Sequence, residues 1–409
     1  MRPDAALLQR AQELLPRLVE LRRALHRRPE LSYQERETQR TMITRLTAAG
    51  YSVRSVAGTG ILATPAGLPE EPGGMPVAAG STVALRAELD ALPIEEQNDV
   101  PYRSETPGVM HACGHDAHMA MVFGAGLLLQ EAGGELAGRV RLLFQPAEEV
   151  PPGGARRVLD ERALQQAGVG AIFALHVDPR YPAGQLLLRR GPLMAASDRF
   201  RLVVVGRGGH GGYPHLAIDP VVIAAQIVLA LQTLVSRRLE PTEPGVITVG
   251  RIEGGAADNV IPERVTRTGT LRSHSETVRK DLPAWIEQMA GGIAAASGAR
   301  VEFDYLPGHP GLANDPGMID FVEQALEPVL GRERLVDLPR PIMGGEDFAH
   351  YLKEMPGAFL RLGVRNDALD CVHAIHSPRF NLDETALAVG AAALAGTALA
   401  WLDARGGEA

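Results

Sequence analysis

The stretch VRLLFQPAEE at residues 140–149 decides the fold, because it joins a short apolar run to a turn that carries two adjacent carboxylates. Similar apolar runs lie at residues 83–85 and 171–177, and segments with helical spacing separate them, at 117–131 and 155–167. Short apolar runs bounded by turn residues predict buried strands. Strands that alternate with helices are typical of an α/β domain with a mainly parallel sheet.

The pattern changes in the middle of the chain, where strands follow one another with only two helices among them. The predicted strands cover residues 200–205, 246–252, 265–272 and 300–305, and the predicted helices cover 220–237 and 276–296. This order predicts a small α+β domain at residues 187–305. It is inserted in a larger, discontinuous domain that comprises residues 1–186 and 306–409.

The composition is that of a globular protein, with 409 residues, 45% hydrophobic and 22% charged, which excludes a disordered chain. Because 41 Lys and Arg face 49 Asp and Glu, the net charge is −8, and we expect no nucleic-acid partner. Two cysteines in a chain of this length provide no disulfide framework, which indicates a reducing, cytoplasmic compartment.

The uncharged stretch at residues 386–402 is the candidate for a membrane span. It contains 17 residues, whereas a span needs about 20 strongly apolar residues. We therefore expect a buried C-terminal helix and no membrane attachment.

A glycine-rich sequence at residues 206–211 matches the dinucleotide-binding pattern G-x-G-x-x-G after an apolar strand. In a dinucleotide site this turn opens a helix directly, so that the helix N-terminus meets the pyrophosphate. Here Pro214 interrupts, and no acidic residue follows at the distance where the ribose contact is expected. The pattern instead indicates a glycine-rich turn that exposes His210.

The segment MHACGHDAH at residues 110–118 holds three histidines, a cysteine and an aspartate. Cys113 and His115 are two residues apart, just before a predicted helix, so both side chains can converge on one ion. A thiolate with an imidazole suits zinc, and imidazole with carboxylate also suits manganese, cobalt or nickel. The alternative is a buried thiol beside polar groups that cap the helix.

The adjacent carboxylates of Glu148 and Glu149 follow the strand at residues 140–144. Adjacent side chains in extended or turn geometry are expected to point apart, so one can bind a metal while the other accepts a proton from water. The alternative is a solvated helix start, where acidic residues are favoured.

Three further candidates stand at or near predicted strand ends. His176 ends the run at residues 171–177, Asp90 follows the run at 83–85, and His376 lies near the C-terminus. Each histidine alone is more often a core residue, but ligand sites in parallel sheets lie at the carboxyl ends of strands.

Together these segments resemble the M20 family of metallopeptidases and amidohydrolases, in particular its aminoacylase-like branch of hippurate hydrolases and auxin-conjugate hydrolases. The shared motifs lie in order along nearly the whole chain, at residues 21–31, 85–94, 110–118, 144–149, 174–177, 208–210, 258–262, 269–272, 344–348 and 376–380. The resemblance implies a catalytic domain that holds two divalent metal ions (zinc, manganese, cobalt or nickel) and an inserted lid that forms a homodimer.

The resemblance also implies roles for residues of the catalytic domain. The implied metal ligands are Cys113, His115, Glu149, His176 and His376. Most of the wider family has a histidine where this chain has Glu88, and Cys113 is expected to supply the missing ligand. Asp90 is expected to support the metal ligands without binding the metal itself. Glu148 is expected to be the general base, which deprotonates the attacking water and later protonates the leaving amine.

In the lid, the resemblance implies that His210 stabilises the oxyanion in the partner's active site, that Asn259 binds substrate, and that Arg272 pairs with the substrate carboxylate. The implied reaction is hydrolysis of an N-acyl amino acid to a carboxylic acid and an amino acid. Two alternatives stay open: a dipeptidase or carboxypeptidase of the same family, and a non-catalytic metal-binding protein.

Overall fold

The computed structural model of the chain describes residues 3–66, 80, 82–131 and 139–406. It divides into two compact units, the first comprising Met1–Gly191, Asn314–Pro339 and His350–Ala409, and the second comprising Pro192–Ala313 and Arg340–Ala349. The second unit thus contains a short segment, Arg340–Ala349, from the part of the chain predicted to belong to the larger domain.

Numbered along the described part of the chain, the strands are β1 (Tyr51–Val56), β2 (Gly60–Pro65), β3 (Thr82–Glu88), β4 (Val140–Gln145), β5 (Val169–Pro182), β6 (Leu186–Leu188), β7 (Gly191–Met194), β8 (Ala196–Val205), β9 (Gly209–His210), β10 (Gly245–Glu253), β11 (Val260–Ile261), β12 (Arg264–Ser273), β13 (Arg300–His309), β14 (Leu312–Asn314), β15 (Leu335–Asp337) and β16 (Gly357–Arg365).

The α-helices, numbered in the same way, are α1 (Ala5–His26), α2 (Arg36–Ala48), α3 (His115–Glu131), α4 (Gly154–Asp160), α5 (Ala163–Gln166), α6 (Pro220–Thr233), α7 (Glu276–Ala296), α8 (Pro316–Leu330), α9 (Ala349–Glu354) and α10 (Ala386–Gly406).

The first unit is built on an eight-stranded sheet in the order β1-β2-β4-β3-β5-β16-β6-β15. Its centre is parallel, since β3 pairs with β4 and β5, and β5 pairs with β16. Every residue of β3 and β4 is buried, as expected for strands covered on both faces. The predicted α/β class with a mainly parallel sheet is confirmed.

Helices α1, α3 and α10 pack against one another and contribute Leu18, Phe123 and Leu394 to the core of the first unit. By length and composition, two helices in the described residues could cross a membrane, Pro220–Arg238 and Ala386–Ala404. The second of these is 89% buried inside the protein, so the C-terminal helix is a core helix, as the sequence predicts.

The helix predicted at residues 155–167 is interrupted. Arg162 has a left-handed backbone with φ of 55°, which divides the segment into α4 and α5. The prediction of one continuous helix was therefore wrong, because a left-handed residue cannot continue a right-handed helix.

The second unit is an antiparallel sheet in the order β10-β12-β8-β13. Helices α6 and α7 pack on it, with Ile227 and Ile286 against Phe200 and Leu202 in a separate core. A separate two-stranded ladder pairs β9 with β11, and His210 lies opposite Val260 in it.

Candidate metal centre

The predicted ligands meet in the first unit from four places in the chain. Glu149 follows the carboxyl end of β4, and His176 lies in the later part of β5. Cys113 lies just before α3 and His115 begins it, and His376 lies in a loop after β16. Among the described residues, five groups of possible ligands have atoms within 4.8 Å of one another, and two of these consist entirely of predicted ligands. Cys113, His115 and His176 form one, and Cys113, Glu149 and His376 form the other. All five predicted ligands are present, and the thiol of Cys113 belongs to both groups.

Gly114 determines the geometry between Cys113 and His115. Its φ is +88°, and an added Cβ would lie 2.5 Å from Val177 Cγ2. Only glycine fits this position without displacing β5, because the backbone is left-handed and passes close to the strand. The local sequence C-G-H therefore turns both ligand side chains into the same site.

His115 is oriented by Asp90. Its Nδ1 donates to the Asp90 carbonyl oxygen at 2.8 Å and lies 3.3 Å from Asp90 Oδ1. Its Nε2 is buried and has no hydrogen-bond partner among the described residues. Burial opposes a charge here, yet Asp90 and Glu88 raise the pKa of His115 to about 10, so the site stabilises a cation. A metal ligand held in this way is typical of protein metal sites.

His176 and Cys113 are in contact, with 3.2 Å between Nε2 and Sγ. His176 Nδ1 donates to the Val177 carbonyl at 2.7 Å, which directs Nε2 towards the thiol. Burial, followed by the charge of His118, holds the pKa of His176 well below its usual value. Burial and the nearby Glu149 raise the pKa of the Cys113 thiol. A thiolate at this position requires a compensating cation, and the donor set therefore fits a divalent metal.

Glu148 and Glu149 converge. An oxygen of each lies within 4.8 Å of the other and of a His115 nitrogen. The expectation that the two side chains point apart was wrong, because the chain bends from residue 148 to 150, directly after the left-handed Ala147 with φ of 52°. Both carboxylates can therefore serve one centre.

Glu149 and His376 connect the centre to distant parts of the first unit. Glu149 N–H donates to Asp90 Oδ2 at 3.0 Å, and Glu149 Oε1 lies 3.3 Å from His376 Nε2. His376 N–H donates to the Ala112 carbonyl at 2.8 Å, which ties the C-terminal loop to the metal-binding segment. Glu148 itself is 9% exposed.

His118 belongs to the same motif but has a different place. Its Nδ1 donates to Glu88 Oε2 at 2.8 Å, and its Nε2 accepts from Val177 N–H at 3.0 Å. Although Glu88, His115 and His118 could also hold an ion, both nitrogens of His118 are engaged. Glu88, which also pairs with Arg86, thus supports the site through a hydrogen bond.

A buried network behind the metal-binding segment was not predicted. Asp116 Oδ2 accepts from Arg22 Nε at 2.7 Å and from His26 Nδ1 at 2.8 Å. Burial alone would raise the pKa of Asp116, but Arg22 and His26 hold it far below its usual range. In the sequence, only the motif at residues 21–31 indicated Arg22 and His26, and no function was predicted for either residue.

The predicted lid residues lie in the second unit. His210 is exposed on β9, where its Nδ1 accepts from Gly212 N–H at 3.0 Å. Asn259 is its neighbour, because the Asn259 carbonyl accepts from Gly211 N–H at 2.7 Å. Arg272 lies opposite Ser197 in the sheet, and burial lowers its pKa. Their roles towards substrate stay predictions.

Comparison with known proteins gives a match over most of the chain. The model of peptidase family M20/M25/M40 matches residues 84–400. The N-acetylcysteine deacetylase of Bacillus subtilis is 39% identical over 91% of this chain and 93% of its own length. Thermostable carboxypeptidase 2 of Saccharolobus solfataricus is 38% identical over 92% of this chain and 93% of its own length.

A solved structure is similar over the same extent. The YXEP protein of Bacillus subtilis, a dinuclear metal binding peptidase, has a TM-score of 0.80 and 35% identity. The match covers 96% of this chain and 99% of that protein.

Proposed function

The chain belongs to peptidase family M20/M25/M40, and on that premise we propose that it hydrolyses the amide bond of N-acyl amino acids to a carboxylic acid and an amino acid. Family membership and the relatives identify a metal-dependent hydrolase of amides. The observation that carries the proposal is the buried carboxylate of Glu148, which lies beside the donor groups around Cys113. The substrate class is supported by the similarity of the chain to a deacetylase of an N-acyl amino acid.

His115 and His176 would hold one divalent ion, and Glu149 and His376 would hold a second. The Cys113 thiolate belongs to both donor groups. The thiolate favours zinc, whereas histidine and carboxylate also accept manganese, cobalt or nickel. When bound, such ions polarise the substrate carbonyl and lower the pKa of the attacking water.

The proton transfers belong to Glu148. Its carboxylate accepts a proton from the attacking water and then donates it to the nitrogen of the leaving amine. Asp90 keeps His115 in the tautomer with a free Nε2, through the contacts at Nδ1. Asp90 also fixes the backbone of Glu149, so one buried carboxylate orients two ligands.

The second unit supplies the contacts to substrate in this proposal. Arg272 is partly buried and forms no ion pair with a described residue, which leaves its guanidinium available to the substrate carboxylate. Near His210, Asn259 binds substrate. His210 stabilises the oxyanion, a contribution of about 3–4 kcal/mol for a single donor.

We further propose a homodimer through the second unit, with His210 serving the partner's active site. Helix α6 exposes Val222 and Leu229, which are 55% and 72% accessible, and edge strand β10 exposes Ile252 at 55%. Apolar side chains and an open strand edge on one unit favour association. A cytoplasmic location is consistent with the two free cysteines.

Amine release from N-acetyl and N-benzoyl amino acids, by reduced and metal-loaded protein with and without chelator, tests the proposed function. Release that chelator abolishes is the expected result. Faster release from unblocked dipeptides would favour the second candidate, a dipeptidase or carboxypeptidase, for which the similarity to a carboxypeptidase speaks. No release from any amide by metal-replete protein would favour a non-catalytic metal-binding role.

A further inference from the structure

We propose that Glu35 is a positioning residue for the carboxylate pair Glu148 and Glu149. It acts because its side chain is long enough to make two hydrogen bonds, and not through its charge. The proposal rests on the proposed function, since the pair carries the proton transfer and a metal ligand there. Glu35 belongs to none of the metal-ligand groups in the described residues. Its effect must therefore pass through another part of the chain.

The carboxylate of Glu35 joins two loops. The residue is 0% exposed and stands immediately before α2. Its Oε1 accepts from Ala147 N–H at 2.8 Å, and its Oε2 accepts from Thr59 Oγ at 2.6 Å. Because both oxygens have a donor, this buried side chain links the turn between β1 and β2 to the turn that precedes Glu148.

Ala147 is the residue that needs such a link. Its φ of 52° lies in the left-handed region, which is unfavourable for a residue with a Cβ. It is completely buried between Pro146 and Glu148. Strained backbone of this kind persists only where the surroundings hold it. Glu35 holds its N–H, and the Ala147 carbonyl accepts from Gly154 N–H at 2.9 Å.

The other side of Glu148 is held from the same segment. Asp90 Oδ2 accepts from Glu149 N–H at 3.0 Å and from Ser32 Oγ at 2.6 Å. Ser32 and Glu35 therefore support the backbone on both sides of Glu148, one through Asp90 and one directly. Residues 32–35 therefore hold the backbone of the carboxylate pair in place.

Two substitutions of Glu35 separate the effect of side-chain length from the effect of charge. Glu35→Gln keeps the length of the side chain, so its amide oxygen can accept from Ala147 N–H and its amide nitrogen can donate to Thr59 Oγ. Glu35→Asp keeps the charge but is one methylene shorter and cannot make both bonds. Both changes are conservative in a buried site, and thermal melting establishes that each variant is folded.

We expect Glu35→Gln to retain kcat within about 3-fold of wild type and Glu35→Asp to lose about 10- to 100-fold, since a small misplacement of a catalytic group has effects of this size. KM should change by less than about 3-fold in both, because the substrate contacts are elsewhere. Glu37 provides the matched control. It lies in the first turn of the same helix, pairs with Arg28 and Arg40 at the surface, and its Gln and Asp variants should resemble wild type.

Amide hydrogen exchange gives a readout that does not depend on turnover. The N–H groups of residues 147–150 should exchange faster in Glu35→Asp than in wild type, Glu35→Gln or the Glu37 variants, at equal metal content. This readout follows the backbone of the carboxylate pair and not the global stability of the fold.

The opposite order of activities, with Asp better than Gln, would show that charge matters and would overturn the proposal. So would unchanged exchange at residues 147–150 in Glu35→Asp. If wild type hydrolyses no amide, the proposed function fails, and the exchange comparison alone still decides whether Glu35 holds this turn.

Discussion

Loss of Arg22 should destabilise the first unit far more than loss of its neighbour Arg23. The Arg22 and Asp116 side chains are both 0% exposed and are joined at 2.7 Å. Arg22→Met leaves the Asp116 carboxylate buried, with His26 as its remaining hydrogen-bond partner among the described residues. Breaking a buried pair in this way costs about 3–5 kcal/mol. Arg23 pairs with Glu384 at 2.5 Å but is 39% exposed, and such a pair contributes about 1 kcal/mol or less.

Differential scanning calorimetry of wild type, Arg22→Met and Arg23→Met measures this difference. At about 2–4 °C per kcal/mol for a domain of this size, Arg22→Met should lower Tm by roughly 6–20 °C and Arg23→Met by less than about 4 °C. The double variant Arg22→Met with Asp116→Leu should recover most of the loss, because no unpaired charge stays buried. Equal shifts for the two single variants would refute the assignment of the cost to burial.

Three further predictions concern the site and the dimer. Glu148→Gln should retain its metal, measured by elemental analysis, but lose about 100- to 10,000-fold in kcat, and near-normal turnover would contradict its role as the base. Mixed inactive subunits that carry His210→Ala or Glu148→Ala should regain about one quarter of wild-type activity, since half of the dimers are mixed and each holds one intact site; verified mixed dimers without activity would argue against a shared site. Leu229→Glu should shift the protein from dimer to monomer in size-exclusion chromatography, whereas Leu369→Glu, a first-unit residue that is 60% exposed, should not.

The sequence predicts the elements well where the signal is local. The helix predicted at residues 276–296 is found with the same bounds, because Ser275 caps it and the apolar spacing is regular. The break at Arg162 was missed, since a left-handed residue other than glycine leaves no trace in the composition. Strand ends also indicated correctly where polar side chains would gather.

The candidate site, including the supporting residue Asp90, was predicted through residue types and through the resemblance, whereas the more distant supports Glu35 and Arg22 were not. Cysteine and histidine in one segment are a local signal for a metal site. The contact of Glu35 with Ala147 spans 112 residues, and the one of Arg22 with Asp116 spans 94. Such pairs depend on the tertiary fold, and a single sequence contains no periodicity that reveals them.

The position of α10 in the core of the first unit bears on the order in which the chain folds during synthesis. This helix packs against α1 and α3. The first unit, whose N-terminal part is synthesised first, is therefore complete only after the C-terminal helix has been made. Most of the second unit, from Pro192 to Ala313, is continuous in sequence and can fold while the ribosome still makes roughly the last quarter of the chain. A nascent chain that stops before Ala386 leaves the apolar faces of α1 and α3 uncovered, and chaperones and proteases recognise such surfaces.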